Sequence, residues 1–309
     1  MPDGIIMIFG GTGFYGSHIV RKLLAGERPV RVLSRDAARA RNVLGNAVDI
    51  IEGDVASRET IIECLRGVGA VIICLSAISR KLIRRMDEIE RVAVLAIMEE
   101  AHKARISRLV YVSGYEIRKD VLEKLNILPF GAIKLEIEEK IRASDFNWTI
   151  LGDAPSFELF FAFLRGNRLI VPGGGLVAVP TISPEDIGEI TAQVVLRADL
   201  GQKRFRLTGP EAISFPEAAH RISALTGKRI RHINLPLFIF RVGAMLALPF
   251  TPFVRFLYWS LKLLNHFPKD LAGRVPQDHQ ILLDTFSYSP VTFNMEIERR
   301  LLAPDEERP

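Results

Sequence analysis

Ile5-Ile-Met-Ile-Phe-Gly-Gly-Thr-Gly-Phe-Tyr-Gly-Ser-His-Ile-Val20 runs from an apolar segment through a glycine-rich turn into the start of a helix. Ile5 to Phe9 are all apolar, the pattern of a strand covered on both faces, as in a parallel sheet. Gly10, Gly13 and Gly16 follow at intervals of three. Ser17 to Leu24 then reads as a helix with Ile19, Val20, Leu23 and Leu24 on its inner side. Gly10 permits a tight turn, Gly13 lets the backbone approach a pyrophosphate, and Gly16 lets the helix lie against the strand. The helix N-terminus, with its unpaired N–H groups and positive dipole end, would face the phosphates. Thr12, Phe14 and Tyr15 lie in the same turn and complete this part of the candidate nucleotide site.

Glycine-rich turns are common, and a strand, turn and helix can carry no ligand at all. Here the context adds weight, because a second strand over Arg28–Ser34 follows about 20 residues on. Its tip reads Ser34-Arg35-Asp36. An NAD site places an acidic side chain there for the ribose 2′-hydroxyl, whereas a hydroxyl beside a guanidinium suits a 2′-phosphate. Ser34 and Arg35 therefore favour NADP, and Asp36 leaves NAD open. Val48–Ile51 is a third strand. Asp54, in the Gly53-Asp54-Val55 that follows, can accept from the adenine amino group, cap a helix starting near Ser57, or do both.

Ala70–Leu75 is a fourth strand, which brings Leu75, Ser76 and Ala77 to the carboxyl edge where open parallel sheets bind ligands. A helix over Met86–Lys103 leads to a strand over Arg108–Val112 ending in Ser113-Gly114-Tyr115. A helix over Gly131–Ala143 leads to a strand over Trp148–Leu151. This alternation implies an α/β protein with parallel strands, right-handed crossovers and a doubly wound sheet. The expected division is a nucleotide-binding domain over 1–155 and a small mixed, mainly helical C-terminal lobe over 156–309, with 177–198 packing back on the first. Past Gly173-Gly174-Gly175 the pattern predicts a strand over Val177–Ile182 and a helix opened by Ser183-Pro184-Glu185-Asp186. A strand over Phe205–Leu207, a helix from Ser214 to Leu225 stopped by Gly227, and a strand over Arg229–Leu235 follow.

Leu235–Phe267 is dense in large apolar residues, with Arg241, Arg255 and Lys262 spaced through it. Two short helices joined at Pro249 and Pro252 are expected, each too short to span a bilayer. They form either a lid over the core or an apolar surface for a lipid-like substrate, a membrane or a protein partner.

The whole chain of 309 residues is 48% hydrophobic and 25% charged, a folded rather than disordered composition. A net charge of +5 selects no partner, and no basic run interleaved with aromatics suggests a nucleic-acid groove. Cys64 and Cys74 lack metal-ligand spacing and are expected to be free thiols in a reducing, cytoplasmic setting. No metal is expected. Because the strand begins at once, no signal peptide is expected, and oligomeric state stays open.

The residues resemble the extended and atypical branches of the short-chain dehydrogenase/reductase superfamily, whose core is a Rossmann sheet. The resemblance rests on Gly10-Gly-Thr-Gly-Phe-Tyr-Gly16, Gly53-Asp54-Val55, Leu109-Val-Tyr-Val-Ser-Gly114 and Lys134 within Lys-Leu-Glu-Ile-Glu-Glu-Lys. It continues through Asn147-Trp-Thr-Ile-Leu151, Thr181-Ile-Ser-Pro-Glu-Asp-Ile-Gly188 and Phe205-Arg-Leu-Thr-Gly-Pro210. NmrA-like proteins, isoflavone-reductase-like enzymes and the NAD(P)H-binding accessory subunit of respiratory complex I look nearest, the last also in the character of Leu235–Phe267.

The resemblance implies a serine, a tyrosine acid and a lysine that lowers the tyrosine pKa and holds the nicotinamide ribose. Ser113 matches the serine and Lys134 the lysine, but the tyrosine position is Phe130, which has no proton to give. Three readings stay open. Tyr115 replaces the acid, or Lys134 relays the proton with a pKa depressed by burial, or the protein binds nucleotide without catalysis. Pro155 is implied near the nicotinamide, where Gly152-Asp153 replaces the family's usual Arg-Pro. His18 reads as a packing or capping residue. The expected function is NADP-dependent reduction of a hydrophobic quinone- or isoprenoid-like molecule. The alternative is a non-catalytic NAD(P)H-binding subunit or redox sensor that docks through Leu235–Phe267.

Overall fold

The apolar N-terminal run forms β1 (Ile5–Phe9), buried along nearly its whole length. The computed structural model describes residues 4–238, 242 and 252–302. After β1 the strands are β2 (Val30–Ser34), β3 (Asp49–Glu52), β4 (Val68–Ile73), β5 (Arg108–Gly114), β6 (Asn147–Asp153), β7 (Leu164–Arg165), β8 (Arg168–Pro172), β9 (Val179–Pro180), β10 (Lys203–Leu207), β11 (Ala212–Ile213) and β12 (Arg231–Leu235). The helices that matter below are α1 (Phe14–Ala25), α2 (Ala37–Leu44), α3 (Arg58–Cys64), α4 (Ala93–Lys103), α5 (Lys119–Lys124), α6 (Leu128–Arg142), α7 (Glu158–Phe161), α8 (Pro184–Leu196) and α9 (Phe215–Thr226). The chain divides into two compact units. One comprises Met1–Ile117, Gly131–Asp153 and Pro184–Arg206, the other Arg118–Phe130, Ala154–Ser183 and Leu207–Pro309.

The first unit carries a seven-stranded sheet in the order β10-β6-β5-β4-β1-β2-β3, with every pair from β3 to β6 parallel. The doubly wound sheet expected from the alternating pattern is therefore present. Met7, Phe9, Val71, Ile73, Leu109 and Tyr111 pack against Ala93, Val94, Ile97 and Ile137 of α4 and α6. Ile6 and Ile8 face the opposite side by strand alternation and are equally buried. On α1, Ile19, Val20 and Leu23 are buried as expected, each worth about 1.5–3 kcal/mol of removal from water. α1 packs along α8. Their contact leaves no room at Gly188, where a Cβ would lie 2.9 Å from the His18 carbonyl carbon and oxygen. His18 thus packs, its ring edge-on to Phe14 at 6.4 Å. Arg108, buried on β5, bonds Thr149 Oγ1 at 2.9 Å and the Val194 carbonyl of α8 at 2.6 Å. Desolvation draws its pKa down to about 10, yet it ties the sheet to the last turn of α8.

Several boundaries differ from expectation, among them the start of α6 at Leu128 rather than Gly131 and β4 over Val68–Ile73 rather than Ala70–Leu75. α1 begins at Phe14 rather than Ser17, because extended Gly13 already serves as its N-cap and its carbonyl takes the Ser17 N–H at 3.0 Å. The helix expected over Met86–Lys103 contains a wide π turn at Glu88–Val92 that inserts Ile89 and Glu90 into the interior. The strand expected over Val177–Ile182 is only Val179–Pro180, paired antiparallel with β11. Pro180 has no N–H to extend the ladder, and the Ile182 N–H turns to the Pro155 carbonyl at 3.1 Å.

The second unit is built on Phe157, Phe160, Phe215, Phe293, Leu169, Val171 and Ile222, with a small sheet of β12, β8 and β7. Ser214 caps α9 and Gly227 ends it in the left-handed region at φ 68°, as read from sequence. Within Leu235–Phe267, Pro252–Asn265 forms one helix started by its proline. Residues 239–241 and 243–251, where the other expected helix and the Pro249 joint fall, lie outside the described residues. Among the described residues no helix is long and apolar enough to cross a membrane.

Because the nearest atoms at Gly188 are backbone, Gly188→Ala should force α1 and α8 apart and cost about 1–3 kcal/mol. Gly273→Ala, where nothing lies within 4 Å, should leave the midpoint unchanged or raise it. Urea unfolding of both variants checks this, and equal midpoints would refute the tight helix contact.

Candidate active site

Parallel pairing brings the carboxyl ends of the central strands to one edge. Phe9 pairs with Ile73, Ile73 with Tyr111, and Gly114 with Asp153. The strand order reverses between β1 and β4, the point where such sheets bind ligands. The glycine turn sits there. Gly10 has φ +92°, and a Cβ on it would meet the Cys74 carbonyl oxygen at 2.3 Å. A Cβ on Gly16 would meet the Gly10 oxygen at 2.1 Å. The Gly13 N–H bonds the Gly10 carbonyl at 2.9 Å, while Gly13, Phe14 and the rim of Thr12 and Tyr15 reach solvent. No side chain caps the first turn of α1 and no acidic residue occupies it, so an anion can take its N–H groups. These features fit a dinucleotide pyrophosphate.

At the β2 tip, Ser34 Oγ donates to the Asp36 carbonyl at 2.9 Å, and the Asp36 carboxylate accepts the Arg39 N–H at 2.9 Å as the N-cap of α2. Asp36 is thereby committed to a helix, and Arg35 beside it is exposed. Asp54 does not cap α3. Ser57 does, accepting the Thr60 N–H at 3.2 Å, because it lies immediately before the first helical residue. Asp54 instead takes both Nη atoms of Arg85 at 2.8 and 3.0 Å and the Ala56 N–H at 3.0 Å. The Arg85 bonds chiefly hold its carboxyl below the usual range, and the Arg35 charge adds to this. Val55 is buried beside it. Arg85 was not legible as a site residue. The only signal is the basic run Arg80, Lys81, Arg84 and Arg85 after β4.

The other end of the edge is a charge cluster. Lys134, half-buried on α6, lies 5.7 Å from the Tyr111 ring centroid. Burial opposes its charge, but Tyr111, Glu90, Asp153 and Cys74 outweigh that and raise its pKa above the ordinary lysine value. The expected depression toward neutrality is therefore reversed, since the lysine is surrounded by acids rather than by hydrocarbon alone. Glu90, carried inward by the π turn, accepts the Ala77 N–H at 2.6 Å and so fixes the Leu75-Ser76-Ala77 edge. Ser113 is 2% exposed, and its Oγ has no hydrogen-bond partner among the described residues. Tyr115 is buried, with its carbonyl held by Arg204 Nη1 at 2.9 Å and the Gly114 carbonyl by Nη2 at 2.8 Å. Phe130 and Pro155 belong to the second unit, where the Phe130 ring lies 5.0 Å from that of Phe256. Asp153, the residue that breaks the Arg-Pro pattern, accepts a hydrogen bond from Tyr15 and faces Lys134. Burial nevertheless pushes its carboxyl up to about 7. Cys64 and Cys74 are both free, and burial raises each thiol to about 12. No group of metal-ligating side chains occurs among the described residues.

A carboxyl raised in the folded state keeps a proton that the unfolded chain loses above about pH 4. Asp153 therefore lowers stability as pH rises from about 4 to about 7. Relative to the wild type, Asp153→Asn should be more stable at about pH 8 than at about pH 5, read by urea unfolding at both. An equal difference at the two pH values would show an ordinary aspartate.

The model of a family described as NAD(P)H-binding matches residues 10–196. The NAD(P)H azoreductase of Xenophilus azovorans is 25% identical over 238 residues, 75% of this chain and 78% of that protein. The mitochondrial NADH-ubiquinone oxidoreductase 40 kDa subunit of Neurospora crassa is 24% identical over 241 residues, 74% of this chain and 62% of the subunit. The NADPH-dependent quinone oxidoreductase of Escherichia coli, solved with NADPH, superposes with a TM-score of 0.70 at 17% identity, covering 95% of this chain and 98% of that one. The matched span contains the glycine turn, the Ser34-Arg35 tip, Ser113, Lys134 and Asp153, and the chain belongs to the NAD(P)H-binding family.

Proposed function

We propose that the protein is an NADPH-preferring reductase of a flat, hydrophobic, conjugated acceptor such as a quinone. One observation carries this: a lysine held protonated among acids lies over the ring of Tyr111, on the strand that two residues later brings the unpaired Ser113 hydroxyl to the sheet edge. A nicotinamide bound there supplies a hydride. Lys134 would hold the ribose hydroxyls and its charge would favour anionic character in the acceptor, while Ser113 Oγ has a proton free to donate to an acceptor oxygen.

Phe130 narrows the acceptor class. Reduction of a simple ketone leaves an alkoxide, which needs a well-placed acid, whereas a quinone leaves a delocalised phenolate-type anion of pKa about 10. Phe130, stacked on Phe256, offers no hydroxyl, which suits the second chemistry. The quinone acceptor named for the Escherichia coli protein is of this kind, and the azo acceptor named for the Xenophilus azovorans protein is likewise no simple ketone. The NADP preference rests on Asp36 being engaged as a helix cap while Arg35 stays exposed.

Exposed Phe238 and Val242 favour a second reading, in which the protein is an NAD(P)H-binding subunit docking on a membrane or protein partner through Leu235–Phe267. The Neurospora crassa subunit, whose name places it in such an assembly, supports it.

Fluorescence titration should give tighter binding of NADPH than NADH, and Arg35→Ala should weaken NADPH by about tenfold or more with little change for NADH. NADPH oxidation should then appear with a quinone. Tight NADPH binding with no oxidation by any quinone or azo dye would favour the subunit reading.

A further inference from the structure

Asp153 ends β6 at the carboxyl edge of the sheet, in register with Gly114, the residue after the unpaired Ser113. Four elements converge on it. Tyr15, from the N-terminal turn of α1 inside the glycine motif, donates a hydrogen bond to its carboxylate. Lys134 from α6 and Arg204 from β10 bring positive charge, and Cys74 lies past the end of β4. Glu90 and Tyr111 complete the ring around Lys134. The carboxyl is thus placed between the nucleotide turn and the lysine.

Building on the reductase reading above, we infer that Asp153, steadied by Tyr15, is the proton donor of this site in place of the tyrosine that Phe130 lacks. With the hydride that a bound dihydronicotinamide would supply, the quinone would gain two electrons and become the hydroquinone monoanion. The Asp153 O–H bond breaks, and its proton forms the O–H bond on that anion. The carboxylate left behind is reprotonated from water before the next turnover. Burial offsets the nearby cations enough to leave the group protonated up to neutral pH, which this role requires. A carboxyl of that acidity protonates a phenolate-type anion downhill.

The test reads the proton directly and without cofactor. Carbon-13 NMR of carboxyl-labelled aspartates should show one resonance titrating near neutrality, absent in Asp153→Asn. Tyr15→Phe removes a bond to the charged form, so the midpoint of that resonance should move up. With NADPH and a quinone, kcat/KM should fall about tenfold per pH unit above the same midpoint. The fall should vanish in Asp153→Asn and shift upward in Tyr15→Phe by the amount seen in the NMR titration. An Asp153 resonance titrating in the ordinary carboxylate range, or a kinetic limb that Tyr15→Phe leaves in place while the resonance moves, overturns the inference and leaves the reductase intact. Absence of NADPH oxidation with quinones overturns both.

Discussion

The structure depends on how closely α1 approaches the ends of β1 and β4. With Gly10 against the Cys74 carbonyl and Gly16 against Gly10, backbone meets backbone with no side chain between. That contact puts the N-terminus of α1, uncapped by any side chain, over the point where the strand order reverses. The same helix is clasped from behind by α8, again through a glycine, so its position is held from both sides. Everything that reads as nucleotide binding follows from this placement, including the reach of Tyr15 to Asp153.

The second constraint is electrostatic. Lys134 and Asp153 share one partly buried locality, and desolvation opposes the charge on each. For the lysine, neighbouring acids win and the charge is kept. For the aspartate, burial wins and the proton is retained to about neutral pH. The two outcomes differ because Lys134 has Glu90, Tyr111, Asp153 and Cys74 around it, whereas Asp153 meets its cations across a locality that burial dominates. Such separation of protonation states between neighbours is a recurring property of reactive sites.

Phe130, where the family resemblance implies a tyrosine, contributes a ring to a contact with Phe256. The polar groups gathered at the sheet edge come from β5, β6, α1 and α6. The π turn at Glu88–Val92 takes part as well. Without its extra residue Glu90 would rotate off the inner face, and the Ala77 N–H would lose its acceptor.

By itself the sequence determined the strand–turn–helix of residues 5–25, the parallel sheet and the place of Ser113 at the end of one of its strands. Each is encoded locally: glycines three apart, unbroken apolar runs, helix and strand periods that alternate. Ser214 and Gly227 around α9 were legible for the same reason, whereas the capping of α2 by Asp36 emerged only from the structure. Only the tertiary structure decided which residues gather around Lys134, because Glu90, Tyr111 and Asp153 stand on three separate elements and no spacing relates them. It also decided the sign of the lysine's shift, which depends on the balance of burial and neighbouring charge in space. The pairing of Asp54 with Arg85 is the same case: two residues 31 apart in the chain, joined by the way the loops after β3 and β4 fold together.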